Sequence, residues 1–189
     1  MASDRELLTP DDVWGQWAAE WAWAVPDPAT RILYPVLYHL AKYIKAKSIV
    51  EVGIGRAFGT FVFGMYAKVH GADYCCIDLA NHCVRRAKVT AERFGFPTVV
   101  LQYDSKAVAW YSKKIDLLFV DGGHRYEQTL GDIDNFVPWV RRNGLIFFHC
   151  YDNKRWEVKR AVEERFDSEK YERLHLPYNS LGVMMWRKL

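Results

Sequence analysis

The chain begins without a basic, apolar-cored leader and has no uncharged run of membrane-spanning length. These absences exclude a secretory signal and a spanning helix and read as a soluble, cytoplasmic protein with no membrane partner. No block of like charge occurs: 26 Lys and Arg are scattered among 23 Asp and Glu, and a net charge of +3 does not argue for nucleic acid. Cysteine is scarce. Of the four, Cys75 and Cys76 are adjacent on an apparent strand and face opposite ways, while Cys83 and Cys150 show no metal-ligand spacing with them. Neither a disulfide framework nor a zinc motif follows, and free thiols of a reducing compartment fit. Internal repeats and low-complexity linkers are also missing. What is present is 189 residues at 50% hydrophobic and 15% aromatic content, enough for one well-packed domain. The eight Trp leave aromatic residues to spare for a pocket or an interface.

Thr9-Pro10-Asp11-Asp12 is a helix start, with a capping hydroxyl, a first-turn Pro and acids near the positive end of the dipole. The helix it opens runs to about residue 23, places Trp14, Trp17 and Trp21 on one face, and ends at Pro26-Asp27-Pro28. Residues 1–29 therefore form an N-terminal helical segment. Its Trp face, with Trp23, either closes over a cleft as a lid or packs on the domain or on a dimer mate. A second covering helix spans 30–47 and carries Leu33, Val36, Leu37, Leu40, Ala41 and Ile44 on one side. From there strands at 48–52, 73–77, 98–102 and 115–120 alternate with helices at 58–69, 81–94, 105–111 and 126–141. A fifth strand at 144–149, a helix at 153–166 and two β segments at 171–176 and 182–186 complete residues 30–189. Alternation of this kind makes an α/β, doubly wound, mostly parallel sheet, and the last two segments read as an antiparallel C-terminal pair.

In such a sheet ligands bind beyond the carboxyl ends of the strands, at the switch point. After the first strand stand Glu51, Gly53, Gly55, Arg56, Ala57 and Gly59, a turn that lets backbone approach a ligand and presents free N–H groups at the next helix. Asp78 follows the second strand, where this class of fold holds ribose hydroxyls; the bland alternative is a capping Asp. Asp104 and Ser105 follow the third, either as site residues or as the next helix cap. Asp121-Gly122-Gly123-His124 follows the fourth, and His149-Cys150-Tyr151-Asp152 ends the fifth. Two His at adjacent strand ends should face one cleft.

Together these residues resemble the class I S-adenosylmethionine-dependent methyltransferases, which are Rossmann-like, seven-stranded proteins, and the likeness covers the chain from about residue 30 onward. Glu51-Val-Gly-Ile-Gly is similar to the family's acid-x-Gly-x-Gly-x-Gly motif, with Ala57 where the third Gly is usual. Ile115-Asp-Leu-Leu-Phe-Val-Asp-Gly-Gly-His-Arg-Tyr-Glu127, followed by Asn143-Gly-Leu-Ile-Phe-Phe-His149, resembles the small-molecule O-methyltransferase branch that includes the catechol and macrolide-sugar types. The resemblance implies S-adenosylmethionine as methyl donor, with backbone at Gly53 and Gly55 near its methionine part, Ala57 among the cofactor-binding residues and Glu51 buttressing the loop. It further implies Asp78 on the ribose, Asp104 and Ser105 against the adenine, and Asp121 near the ammonium and the reacting centre. His124 matches the place of the basic catalytic residue and is expected to be the general base, with His149 as the rival.

Metal-dependent members carry an acid or acid-amide pair after the fifth strand, where this chain has Cys150 and Tyr151. Magnesium wants hard oxygen ligands, so no metal site and no divalent metal requirement are expected, Asp121 with a displaced Asp152 being a poor cage. The expected acceptor is a small-molecule hydroxyl, less readily an amine; a cofactor-binding but inactive partner protein is the alternative outside enzymology. A nicotinamide oxidoreductase fits less well because the turn begins Glu51-x-Gly, and a nucleic-acid base N-methyltransferase because Asp121-Gly-Gly-His lacks paired prolines.

Overall fold

The computed structural model describes residues 28–107, 114–155, 157–176 and 182–189. The Trp-rich helix expected over 9–23, and with it the lid or interface role of residues 1–29, lies outside the described residues. So does the end of the helix expected at 105–111. The elements, numbered here in chain order, are α1 (Pro28–Tyr43), β1 (Ser48–Val52), α2 (Phe58–His70), β2 (Asp73–Asp78), α3 (Asn81–Phe94) and β3 (Thr98–Gln102). They continue with β4 (Ile115–Val120), α4 (Tyr126–Phe136), β5 (Val140–His149), α5 (Val158–Arg165), β6 (Tyr171–Leu176) and β7 (Val183–Lys188), with single 3-10 turns at Ser105–Ala107 and Val137–Trp139.

The seven strands form one sheet in the order β3-β2-β1-β4-β5-β7-β6. Strands β1 to β5 pair in parallel, and β7 runs antiparallel between β5 and β6. The strand order reverses between β1 and β4, so the crevice for a ligand opens there. Both faces of the parallel part are covered, as its unbroken apolar strands require. Residues of the central strands alternate between two cores. Ile49, Tyr74, Cys76, Leu117, Phe119 and Phe147 join α1, α2 and α3 on one face. Val50, Cys75, Ile77, Leu118, Val120 and Phe148 join α4 and α5 on the other. Cys75 and Cys76 thus face opposite ways, and all four cysteines are free. No helix of the described residues is long and apolar enough to cross a membrane.

The structure corrects three element boundaries expected from sequence. The helix expected over 126–141 ends at Phe136, and the strand expected from Gly144 begins at Val140. Pro138 lacks an N–H and disfavours helical geometry before it, so the chain tightens into a 3-10 turn and Val140 pairs with Ile115. Asn143, at φ 62, absorbs the irregularity before Leu145 resumes the ladder opposite Leu117. The helix expected over 153–166 begins only at Val158, because the Asn153 side chain accepts the Arg155 N–H at 3.0 Å and closes a local turn instead.

Candidate functional site

The loop after β1 is stitched across the switch point. Gly53 donates its N–H to the Ile77 carbonyl of β2 at 2.8 Å, and Asp121 donates its own to the Val52 carbonyl at 2.7 Å. Gly53 has φ +89, and a Cβ there would lie 2.2 Å from the Asp121 carbonyl oxygen, so only glycine lets the two loops meet. Glu51 sits beneath, 1% exposed. Burial pushes its carboxyl well above the usual carboxylate range, although the Tyr74 hydroxyl donates to it. A Cβ on Gly59 would collide with Glu51 Oε1, which ties the first turn of α2 to that carboxyl. Ala57 adopts φ 66 at the start of α2, so it keeps the backbone shape of the usual glycine, while its methyl packs into the core. Glu51 and Ala57 therefore support the loop from behind and do not reach the cavity wall.

A cavity of about 380 Å³ opens at the carboxyl ends of β1 to β4, within the range typical of small-molecule sites. Gly53, Gly55, Asp78, Asp104, Ser105, Asp121 and His124 all line it, so the structure brings together seven residues expected from separate strand ends. A second cavity lies where α1 meets β5, β6 and β7 among Leu40, Ile44, Leu145 and Met185, away from these strand ends.

Asp78 holds the loop: its Oδ2 accepts the N–H groups of Ile54 at 2.8 Å and Gly55 at 3.3 Å, and its Oδ1 accepts that of Ala80 at 2.8 Å. The Cys83 thiol also donates to this carboxylate, so the roughly four acceptor positions of a carboxylate are all met within the protein, the thiol being the weakest of the donors. Asp78 thus ties the glycine turn to the start of α3 through backbone N–H groups, as the capping alternative expects. Ser105 is more fully committed, since its hydroxyl donates to Asp132 Oδ1 and its carbonyl accepts from Asn135 at 2.6 Å.

At the ends of β4 and β5, Asp121 Oδ1 lies 2.9 Å from His149 Nδ1 and 3.4 Å from His124 Nε2. Burial works against the charge on Asp121, but His149 and His124 outweigh it and hold the carboxyl down at about 2. Cys150 Sγ also approaches His149 Nδ1, at 3.0 Å. Burial, then the Asp121 charge, push that thiol upward. Among the described residues Asp121, His124, His149 and Cys150 form a group with metal-ligating potential, all four ligand atoms lying within 4.8 Å of one another. Asp152 is not in it; its carboxyl sits against Gly182, and the Tyr151 hydroxyl turns to Glu163.

Sequence reasoning missed several residues at the cavity wall and behind it. Tyr103 and Leu79, 59% and 67% exposed, are apolar surfaces beside Asp78 at the cavity. Tyr34 of α1 is buried close enough to feel the charges of Asp121, Glu51 and Cys150. Asp132 lies on the buried face of α4 with Thr129, Ile133 and Phe136, and an acid at that helical spacing was a readable signal. Burial raises Asp132 from 3.8 to about 6; Ser105 and Lys106 oppose the shift and Asp104 adds to it. The folded state thus binds the extra proton between those values, and stability falls as pH rises through that window. Asp132→Asn, which cannot titrate, is expected to gain about 2–3 kcal/mol on the wild type between pH 4 and 7. Urea unfolding at both pH values checks this; an unchanged difference would refute the buried carboxyl.

The fold is shared with known structures. A provisionally assigned O-methyltransferase from Klebsiella pneumoniae superposes with TM-score 0.74 at 15% identity, covering 96% of this chain and 92% of that one. A Podospora anserina methyltransferase bound to S-adenosylhomocysteine gives 0.73 at 15% identity, covering 96% and 89%. An uncharacterized protein of Acanthamoeba polyphaga mimivirus is 38% identical over 52 residues, a stretch that spans 26% of this chain and only 24% of that protein. The model of a methyltransferase domain matches residues 50–151, from β1 through the end of β5. Since that match takes in more than half of the chain and every strand end that builds the cavity, the protein belongs to the methyltransferase-domain family.

Proposed function

We propose that this S-adenosylmethionine-dependent methyltransferase methylates a hydroxyl of a small molecule, with His124 as general base. The observation that carries the reading is the Asp121 carboxylate, set between two imidazoles on the wall of the switch-point cavity. The Klebsiella pneumoniae structure, described as an O-methyltransferase, supports the choice of oxygen over nitrogen.

When bound, the donor supplies a methyl group on a cationic sulfonium. The chain's part is to hold that cation, exclude water and move a proton. Gly53 and Gly55 bring backbone to the cavity, Asp78 takes a ribose hydroxyl in place of the weak Cys83 thiol donor, and Leu79 and Tyr103 offer apolar walls to a flat ring. Asp104 stands beside them at the adenine end, and Ser105 fixes that wall to α4 through Asp132. Asp121, held ionised, favours the cationic centre. A carboxylate offers only acceptors, so the nitrogens facing it, His124 Nε2 and His149 Nδ1, carry the hydrogens. The lone pair of His124 therefore lies on Nδ1. That atom takes the proton of the acceptor hydroxyl as the oxygen attacks the methyl carbon.

Calorimetry with S-adenosylmethionine tests the donor site. Binding at micromolar strength is expected, and Asp78→Ala is expected to lose about 1.5–3 kcal/mol, or roughly 10- to 150-fold. Absence of binding by the intact protein overturns the reading. Transfer of labelled methyl to a panel of phenols, sugars and polyketides tests the acceptor class; donor binding without turnover on any hydroxyl would favour an inactive, cofactor-binding partner.

A further inference from the structure

We propose that Asp121 Oδ1, His124 Nε2, His149 Nδ1 and Cys150 Sγ form a tetrahedral site for a soft divalent cation of the zinc type, and that its occupation switches the transfer site off. The second half rests on the general-base reading of His124; the first does not.

The four atoms converge on one another. His149 Nδ1 meets both the Asp121 carboxylate, at 2.9 Å, and the Cys150 sulfur, at 3.0 Å, and the same carboxylate oxygen meets His124 Nε2 at 3.4 Å. One ring nitrogen has one hydrogen or one lone pair and cannot satisfy a carboxylate and a thiol separately. A cation among them satisfies all four at once. Zinc–ligand bonds of about 2.0–2.3 Å put tetrahedral ligands about 3.3–3.6 Å apart, and every pair here falls within 4.8 Å.

The backbone contributes the fourth ligand. Residues 149 and 150 would point to opposite faces if the strand continued, because successive side chains alternate. Cys150 instead takes φ 60, a left-handed conformation that a non-glycine residue rarely adopts, and its sulfur lies against the His149 ring, 2% of the residue exposed. Sequence reasoning set this position aside because a thiol is unfit for magnesium. Two imidazoles, one thiolate and one carboxylate are instead a donor set for zinc-type cations.

Charge and protons balance. The cation takes the place of the thiol hydrogen, which leaves as one proton, and the metal's two charges are met by the thiolate and the Asp121 carboxylate. Each imidazole stays neutral but moves its hydrogen to the opposite nitrogen. His124 then carries N–H on Nδ1, where the acceptor's proton would have been received, and Asp121 no longer offers net charge to the sulfonium. Zinc is expected to inhibit transfer, and a chelator to leave the rate unchanged or raise it.

Titration of the full chain with Co²⁺ reads the site without reference to activity. A 1:1 complex is expected, with the intense visible bands of four-coordinate cobalt, a near-ultraviolet thiolate charge-transfer band, and displacement by Zn²⁺ but not by Mg²⁺. Cys150→Ser is expected to lose the charge-transfer band and to weaken binding by more than the ~10–100-fold that losing even an indirect partner costs. Cys75, Cys76 and Cys83 remain in that variant, so a band that persists overturns the site, as does a wild type with no band. Cys150→Ala, with its fold checked by circular dichroism, repeats the comparison. If cobalt binds with this signature while Zn²⁺ leaves the transfer rate untouched, the metal site stands and the assignment of His124 as base falls.

Discussion

Gly53→Ala is expected to abolish donor binding and to destabilise the protein strongly, whereas Gly55→Ala, two residues on, is expected to cost only the backbone strain. Both glycines have positive φ, +89 and +51, so both substitutions add backbone strain, of about 1–2 kcal/mol. They differ in surroundings. A Cβ on Gly53 would stand 2.2 Å from the Asp121 carbonyl oxygen and 2.6 Å from Gly122 Cα, both backbone atoms, while a Cβ on Gly55 meets nothing within 4 Å. Overpacking adds about 1–3 kcal/mol at Gly53, for a total of roughly 2–5 kcal/mol. Relief requires the β1 and β4 loops to part, which breaks the Asp121-to-Val52 hydrogen bond and moves Asp121 away from the glycine turn. Thermal unfolding and calorimetry of the two variants check the contrast. Equal losses of stability would show that the loop junction is not what requires glycine at position 53.

His124→Ala is expected to lower the transfer rate by about 10²–10⁴-fold, the usual contribution of a positioned general base, with donor affinity nearly intact. The imidazole lies on the cavity wall and touches Asp121, but it supports neither the glycine turn nor Asp78. The pH profile of the variant, measured with chelator present so that no cation competes, is expected to lose the limb on which the rate falls when a proton-accepting base becomes protonated. His149 is the internal control. It contacts the same Asp121 oxygen but leans on Phe119, with ring centroids 6.3 Å apart, and lies behind the cavity wall. If His149→Ala removed the limb and His124→Ala kept it, the two roles would be exchanged. If neither removed it, the acceptor would be one acidic enough to lose its proton unaided.

Much of the fold was legible in the sequence because hydrophobic runs and glycine turns are local signals. Strands at 98–102, 115–120 and 171–176 and the helix at 81–94 appear with the bounds read from the chain. The passage from α4 to β5 was not legible in the same way. Residues 137–141 continue an amphipathic pattern, and only the pairing of Val140 with Ile115 turns them into strand. The site was legible to the extent that it stands at strand ends, since a parallel sheet brings those ends together whatever lies between them. Asp78, Asp121 and His124 were found by that rule.

The sequence by itself determined the alternating order, the parallel sheet, and the presence of acids and imidazoles at the carboxyl ends, because each follows from a periodicity or a position along one element. Only the tertiary structure decided what those groups face. Glu51 and Ala57 went behind the loop, Asp132 came to the cavity from a helix 27 residues beyond Ser105, and the left-handed turn at Cys150 brought a thiol into contact with His149. Directions of side chains after a strand ends depend on one or two backbone dihedrals and on neighbours far away in the chain. No spacing within the sequence encodes them, and it is those directions that make an acid, two imidazoles and a thiol into one site.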